Sequence, residues 1–280
     1  MMIMNNYGKG CNLSPVDVRD YKISGAGTDT LPTEFSIKNL PAVKNQKDVN
    51  SCVAHVTSSI LEWYDSQLGE SNKLSTNFIY GIQKQFCGHD GEGMYLRDAC
   101  KIVAEYGDML ETDCSGNDEV PNCWGKAENA LQSTEAKDRA KFFLIGSYYD
   151  LKNNNAIKKA IYKYGPVLGA IKWYDNFVPN SQGLLKGEQT GNYGYHAIMI
   201  YGWNKDGFLC QNSWGTAWGN KGRFILPWSV PVAEAKALID SSVDIDVADV
   251  KIPQKSSRLK IVYNFINLII NFLKKIVEKI

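Results

Sequence analysis

Three residues far apart in this chain have side chains that together could attack and cleave an amide: Cys52, His196 and Asn212. Such chemistry needs a thiolate, a base that forms it and then protonates the leaving amine, and donors for the oxyanion. Cys52 opens the run CVAHVTSSILEWYDSQ, whose apolar spacing predicts a helix over 52–67. A cysteine at a helix N-terminus lies where unpaired N–H groups and the helix dipole favour an anion, so a lowered thiol pKa is expected. Gln46 stands six residues earlier, and its amide would fold over the helix start to donate beside the Cys52 N–H. A lone helical cysteine is more often a small buried apolar residue. The weight therefore rests on the partners.

His196 lies in the strand-like run GYHAIMIYGW, and Asn212 follows sixteen residues later in QNSWGTAWGNKG. One strand, a turn at Asn204–Gly207 and a return strand would set the two side by side. The Asn carboxamide would then accept from one ring N–H and fix the tautomer that faces sulfur. His55, one turn along the predicted helix from Cys52, reads as a structural residue rather than the base.

The elements that must position these groups fall into two halves. Helices are predicted at 52–67, 75–86 and 95–106, the last stopped by Gly107, and at 154–165 with an Asn cap and a Gly stop. The stretch 108–147 reads as loops with one short helix. Beyond it, PVLGAIKW, HAIMIYGWN, GFLCQNSW and KGRFILPW are short apolar runs punctuated by Gly and Asn, which predicts strands. Helices first and strands second imply an α+β protein of two lobes.

VKNQKDVNSC, DGEGMYLRDACKIVAEYG, YGPVLGAI, YHAIMIYGW and NSWGTAWGNKGRF occur in this order and together resemble the papain family of cysteine peptidases. The resemblance spans about residues 31–228 and has the look of a divergent bacterial or phage member, which the Asn-, Lys- and Ile-rich composition also suggests. It implies a helical N-terminal lobe and an antiparallel, barrel-like C-terminal lobe with the active site in the cleft between them. It implies Gln46 as oxyanion donor, Cys52 as nucleophile, His196 as acid and base, and Asn212 as orienter. The implied activity is that of a cysteine endopeptidase acting on peptide or protein substrates through a thioester acyl-enzyme, with no cofactor. Trp214 would shield the Asn–His hydrogen bond, Gly91 and Gly93 would leave backbone bare for an extended substrate, and Met94, Ala170 and Tyr195 would line a side-chain pocket. Two departures stand out: Val49-Asn50-Ser51-Cys52-Val53 replaces the usual Cys-Gly-Ser-Cys-Trp, and Tyr195 precedes the His where Asp or Asn is common. Members are often restrained by a long helical propeptide, but residues 1–30 show no helical pattern. Restraint of Cys52 is then expected from that short arm or from the C-terminal helix.

Composition bounds the remainder. A net charge of +1 over 280 residues gives no reason to expect a nucleic-acid partner. Three His and no C-x-x-C pair leave no zinc-site pattern. Seven cysteines leave one outside any intrachain pairing, and Cys114 with Cys123 could close a small disulfide or stay as two thiols. No apolar signal segment and no run of 18 apolar residues is seen, which points to a cytoplasmic chain or one released by a non-signal route. The expected divisions are an arm at 1–30, a peptidase domain at 31–228, an acidic-to-basic linker at 229–257 and an amphipathic helix at 258–280. That helix would dock on its own domain, associate with another copy or partner, or lie on a membrane surface. Two rival readings follow: a papain-like binding or scaffold protein without turnover, or a peptidase domain delivering a membrane-active tail.

Overall fold

The computed structural model describes residues 7–17, 22–23, 30–88, 92–114 and 123–240. In chain order these form β1 (Cys11–Asn12), β2 (Lys22–Ile23), β3 (Phe35–Ser36), α1 (Cys52–Gln67), α2 (Thr76–Cys87), β4 (Met94–Tyr95), α3 (Leu96–Glu105), α4 (Cys123–Ala130) and α5 (Thr134–Ala140). A 3-10 turn at Lys141–Phe143 leads into β5 (Ile145–Leu151), α6 (Asn154–Tyr164), β6 (Val167–Tyr174), β7 (Val178–Pro179) and β8 (Leu185–Lys186). The chain continues through β9 (Tyr193–Trp203), β10 (Gly207–Gln211), β11 (Arg223–Pro227) and β12 (Val232–Asp240).

Helix α1 is buried from Cys52 through Leu61 on every side, so it is the central rod of the helical lobe rather than a surface helix. Its N-cap, Ser51, makes no side-chain cap and no acidic residue stands in the first turn, which leaves the first N–H groups available to an anion. Helix α6 has the predicted punctuation: Asn153 Oδ1 accepts from the Ala156 N–H at 2.9 Å, and Gly165 ends the helix at φ 116°. The segment 108–147 holds more structure than its sequence suggests. It contains two short helices and β5, because Ser133 caps α5 through a bond from the Ala136 N–H.

Strands order as β11-β10-β9-β6-β12-β5-β2, with β3 pairing β9 beside that path. All these pairs are antiparallel except β2 with β5. The expected linker from 229 onward is corrected at its start. Val232–Asp240 is β12, inserted between β5 and β6, with Ala235, Ala237, Leu238 and Ile239 buried. Its charges do not make it a linker, because Lys236, 1 % exposed, is paired with Asp150 on β5. Residues 241–257 of that linker, and the whole of the helix expected at 258–280, lie outside the described residues. Among the described residues no helix is long and apolar enough to cross a membrane.

The buried side chains form two cores. One joins α1, α2 and α3 to the sheet through Leu168, Ala170, Ala197 and Met199. The other packs Ala156, Ile157, Ala160 and Ile161 of α6 against Val167, Ile198, Ile200 and Phe208. Strand β9 contributes to both, its side chains alternating between faces. The N-terminus of α1 meets β9 where the two cores adjoin.

Candidate active site

The Cys52 sulfur lies against β9 and accepts from the Ala197 N–H at 3.4 Å, immediately beyond His196. The pairing of β9 with β10 follows from the turn after Trp203, where the Asn204 N–H donates to the Gly207 carbonyl at 3.0 Å. That hairpin delivers Asn212 to His196: Nε2 and Asn212 Oδ1 are 2.7 Å apart. The same Oδ1 accepts from the Ser213 backbone N–H at 2.7 Å. A backbone N–H can only donate, so that atom is the carboxamide oxygen and Nε2 carries the ring proton. Nδ1 is then the basic nitrogen, and it has no hydrogen-bond partner among the described residues.

Gln46 is held from three directions. Its backbone N–H donates to the Ser213 carbonyl at 2.8 Å, its Oε1 accepts from Ser213 Oγ at 2.5 Å, and its Nε2 donates to the Val49 carbonyl at 2.7 Å. With Oε1 tied down, Nε2 is turned toward the start of α1 and reaches the Gly8 carbonyl at 3.1 Å. Ser213 is a functional candidate that sequence reasoning missed. Its place directly after Asn212 is the only signal, since one residue then serves both the amide of Gln46 and the oxygen of Asn212.

Electrostatics differ from the sequence expectation for Cys52. The backbone groups of Ala197 and Gly10, ahead of those of Val53 and Cys52 at the helix start, favour the thiolate. Burial outweighs them and pushes the thiol up to about 11. Burial likewise brings His196 down to about 4, against the opposing bond from Asn212. Cys52 and His196 are both 0 % exposed, so the pair rests as neutral thiol and neutral imidazole.

Trp214 lies with its ring centroid 4.5 Å from that of His196, tilted by 30°. Trp173 abuts both rings, at 5.5 Å from His196 and 4.8 Å from Trp214. Trp173 and Trp218 extend the aromatic cover beyond the one tryptophan singled out from sequence. His55 is occupied within its own helix start, its Nδ1 3.0 Å from the Ser51 carbonyl and 3.2 Å from Ser51 Oγ. Gly93 adopts φ 86°, and its N–H donates to the Tyr80 hydroxyl at 3.1 Å. Met94 and Ala170 are buried in one cluster with Cys52 and Cys11, and Tyr195 packs at its edge. Gly91 lies outside the described residues, as does the side chain of Cys123, on which the pairing with Cys114 depends. Among the described residues no group of His, Cys, Asp and Glu is arranged to hold a metal ion.

Comparison with known proteins was made on sequence and on fold. A family model described as papain family cysteine protease matches residues 31–230. A gut-specific cysteine proteinase of Caenorhabditis elegans is 28% identical over 212 residues, 67% of this chain and 64% of the relative. Cathepsin B-like cysteine proteinase 2 of Haemonchus contortus is 30% identical over 165 residues, 58% of this chain and 43% of the relative. The chain thus spans less than two thirds of the length of these curated relatives. Among solved structures, xylellain, a cysteine protease from Xylella fastidiosa, superposes with a TM-score of 0.71 at 19% identity, over 86% of this chain and 98% of that one. A cysteine protease of Carica candamarcensis, solved with E-64, superposes with a TM-score of 0.60 at 18% identity, over 75% and 99% of the two chains. The fold is papain-like α+β with two lobes, and with 31–230 matched the chain belongs to the papain family of cysteine proteases.

Proposed function

We propose that this protein is a cysteine endopeptidase that hydrolyses peptide bonds through a thioester acyl-enzyme. The observation that carries the reading is the Nε2–Oδ1 bond of 2.7 Å between His196 and Asn212, set beside the Cys52 sulfur. In this reading Nδ1 of His196 takes the thiol proton as sulfur attacks the scissile carbonyl carbon. The oxyanion forms where the Gln46 Nε2–H and the Cys52 backbone N–H converge. His196 then returns the proton to the leaving amine, and a second cycle with water releases the acid and restores the thiol. Asn212 accepts from the imidazolium throughout, and the rings of Trp214 and Trp173 keep water from that bond. Met94, Ala170 and Tyr195 are proposed to line the pocket for a substrate side chain, with Gly93 beside the substrate backbone.

The Carica candamarcensis structure holds E-64, an epoxide that captures thiols, and this supplies the test. The full chain should take up one equivalent of E-64 on Cys52, hydrolyse an unstructured protein substrate, and lose both properties in Cys52→Ala. Labelling without any turnover would instead favour a binding or scaffold role. Turnover that survives in Cys52→Ala would sink the assignment of the nucleophile.

A further inference from the structure

A serine in front of a helix ordinarily turns its hydroxyl back onto the second or third N–H of that helix. Ser51 stands in that place before α1 and makes no such bond. Its backbone, at φ −111° and ψ 20°, is away from the extended conformation that a capping residue adopts. Its hydroxyl lies instead 3.2 Å from Nδ1 of His55, one turn along the helix. The Ser51 carbonyl meets two groups of the same residue, the His55 backbone N–H at 3.1 Å and Nδ1 at 3.0 Å. A carbonyl can only accept, so Nδ1 carries a proton. His55 thus grips both oxygens of Ser51.

We propose that His55 is a positioning residue, which aims the Cys52 backbone N–H and keeps the Ser51 hydroxyl off the start of α1. This rests on the reading of Gln46 and Cys52 given above. The Ser51 carbonyl and the Cys52 N–H belong to one planar trans peptide, so fixing the oxygen fixes the direction of the N–H. That N–H is one of the two donors proposed for the oxyanion. The hydroxyl matters for a second reason. Were it to cap Val53 or Ala54, it would occupy donors that an anion at Cys52 needs, and it would stabilise the helix in doing so. His55 settles that competition in favour of the anion.

The rest of the entry to α1 leaves this serine as the point of choice. The Val49 carbonyl takes the Ser51 N–H at 2.9 Å and the Gln46 Nε2–H at 2.7 Å, so both proposed oxyanion donors hang from one loop. From outside, the Gly8 N–H donates to the Lys47 carbonyl at 3.0 Å and the Lys9 N–H to Asn50 Oδ1 at 3.1 Å. These bonds hold the loop, but none of them reaches the Ser51 hydroxyl or the Ser51–Cys52 peptide. Ser51 and His55 are both buried, so solvent does not stand in for a lost partner.

The test uses the full chain as wild type, His55→Asn, His55→Gln, His55→Phe and the double variant Ser51→Ala with His55→Phe. Asn places an amide where Nδ1 stands, Gln places one at the Nε2 position, and Phe supplies no donor. Hydrolysis of a fluorogenic peptide gives kcat and KM. Alkylation of Cys52 by iodoacetamide, localised by peptide mass spectrometry, is read beside it. With KM constant, kcat should stay within about twofold of wild type in His55→Asn and fall about fivefold in His55→Gln and His55→Phe. The double variant has no hydroxyl to cap with and should regain most of the rate lost in His55→Phe. A merely structural His55 would make Asn and Gln equally costly and the double variant the worst of all, and that result overturns the proposal. Wild-type kcat in every variant overturns it too. Should His55→Phe fail to fold by circular dichroism, the Asn and Gln pair decides alone. If no form hydrolyses the peptide, the peptidase reading falls and alkylation decides: the same order of rates upholds the role of His55, and equal rates overturn it.

Discussion

Acid should open the structure around His196. Burial holds His196 at about 4 in the closed form, with the Asn212 hydrogen bond opposing and the charge of Lys9 adding to the burial. In an open form in which water reaches His196, the imidazole has its ordinary value of about 6.5. The closed form is therefore the one whose His resists protonation: its advantage is complete above 6.5 and is lost as pH falls toward 4. Proton linkage between those two values makes the open form about 30-fold more favourable at pH 5, about 2 kcal/mol, and leaves pH 7.5 almost unaffected. Cys52 works from the other side. Its thiol, pushed up to about 11, penalises closure once pH rises above the ordinary value of 9.0. The closed site is thus held most firmly between about 6.5 and 9. Hydrogen exchange at the amides of residues 8–12, divided by the intrinsic rate at each pH, measures this without requiring turnover. Protection at pH 5 should be about 30-fold weaker than at pH 7.5, and His196→Gln should abolish most of the difference. Equal protection at the two pH values would refute the reasoning, as would an undiminished difference in His196→Gln.

Three further outcomes are expected. Asn212→Ala removes the acceptor of the His196 ring proton, so kcat should fall about 10- to 100-fold; a wild-type kcat would discard the orienting role. The same change leaves the Ser213 N–H without its acceptor, and a chemical-denaturation loss of about 2 kcal/mol should accompany it. Ser213→Ala frees the Gln46 amide to turn away from the start of α1, which should lower kcat about 3- to 10-fold with KM nearly constant. An effect on KM alone would instead place Ser213 in substrate contact. Lys236→Met leaves Asp150 buried with only Lys152 to balance it, and should cost about 3 kcal/mol in urea unfolding, much of it recovered by adding Asp150→Leu.

The residues proposed to react are legible in the sequence because the elements that carry them are encoded locally. A helix that begins at Cys52 and a hairpin that turns at Asn204–Gly207 are each set by neighbouring residues, and they set the Cys52 sulfur against β9 and Asn212 against His196. β12 is not legible for the opposite reason. VAEAKALID carries Glu234 and Lys236, which read as part of a charged connector, and only the distant Asp150 shows that the lysine is buried. β5, with its run of Ser147, Tyr148 and Tyr149, is equally uninformative until β12 pairs with it. Nor does the arm announce its path. Gly8 and Gly10 look like ordinary loop glycines, and their meaning lies in the carbonyls of Val49 and Asn50, which no periodicity reports. The lowered thiol pKa expected at a helix start fails for the same reason, since burial by distant parts of the chain outweighs the N–H groups around the sulfur.

The place of β12 has a consequence for the order in which the chain can assemble. β5 and β6 are made early, yet each pairs with a strand that begins only at Val232. A nascent chain that has emerged as far as Asn212 possesses all four proposed site residues but not the strand that joins the two sides of its sheet. Until β12 arrives, the facing edges of β5 and β6 remain open templates for any passing strand. Such long-range closure is slow and exposes aggregation-prone edges while it waits. Ribosomal pausing before codon 232 should therefore trap an insoluble intermediate, whereas a pause after codon 240 should be harmless.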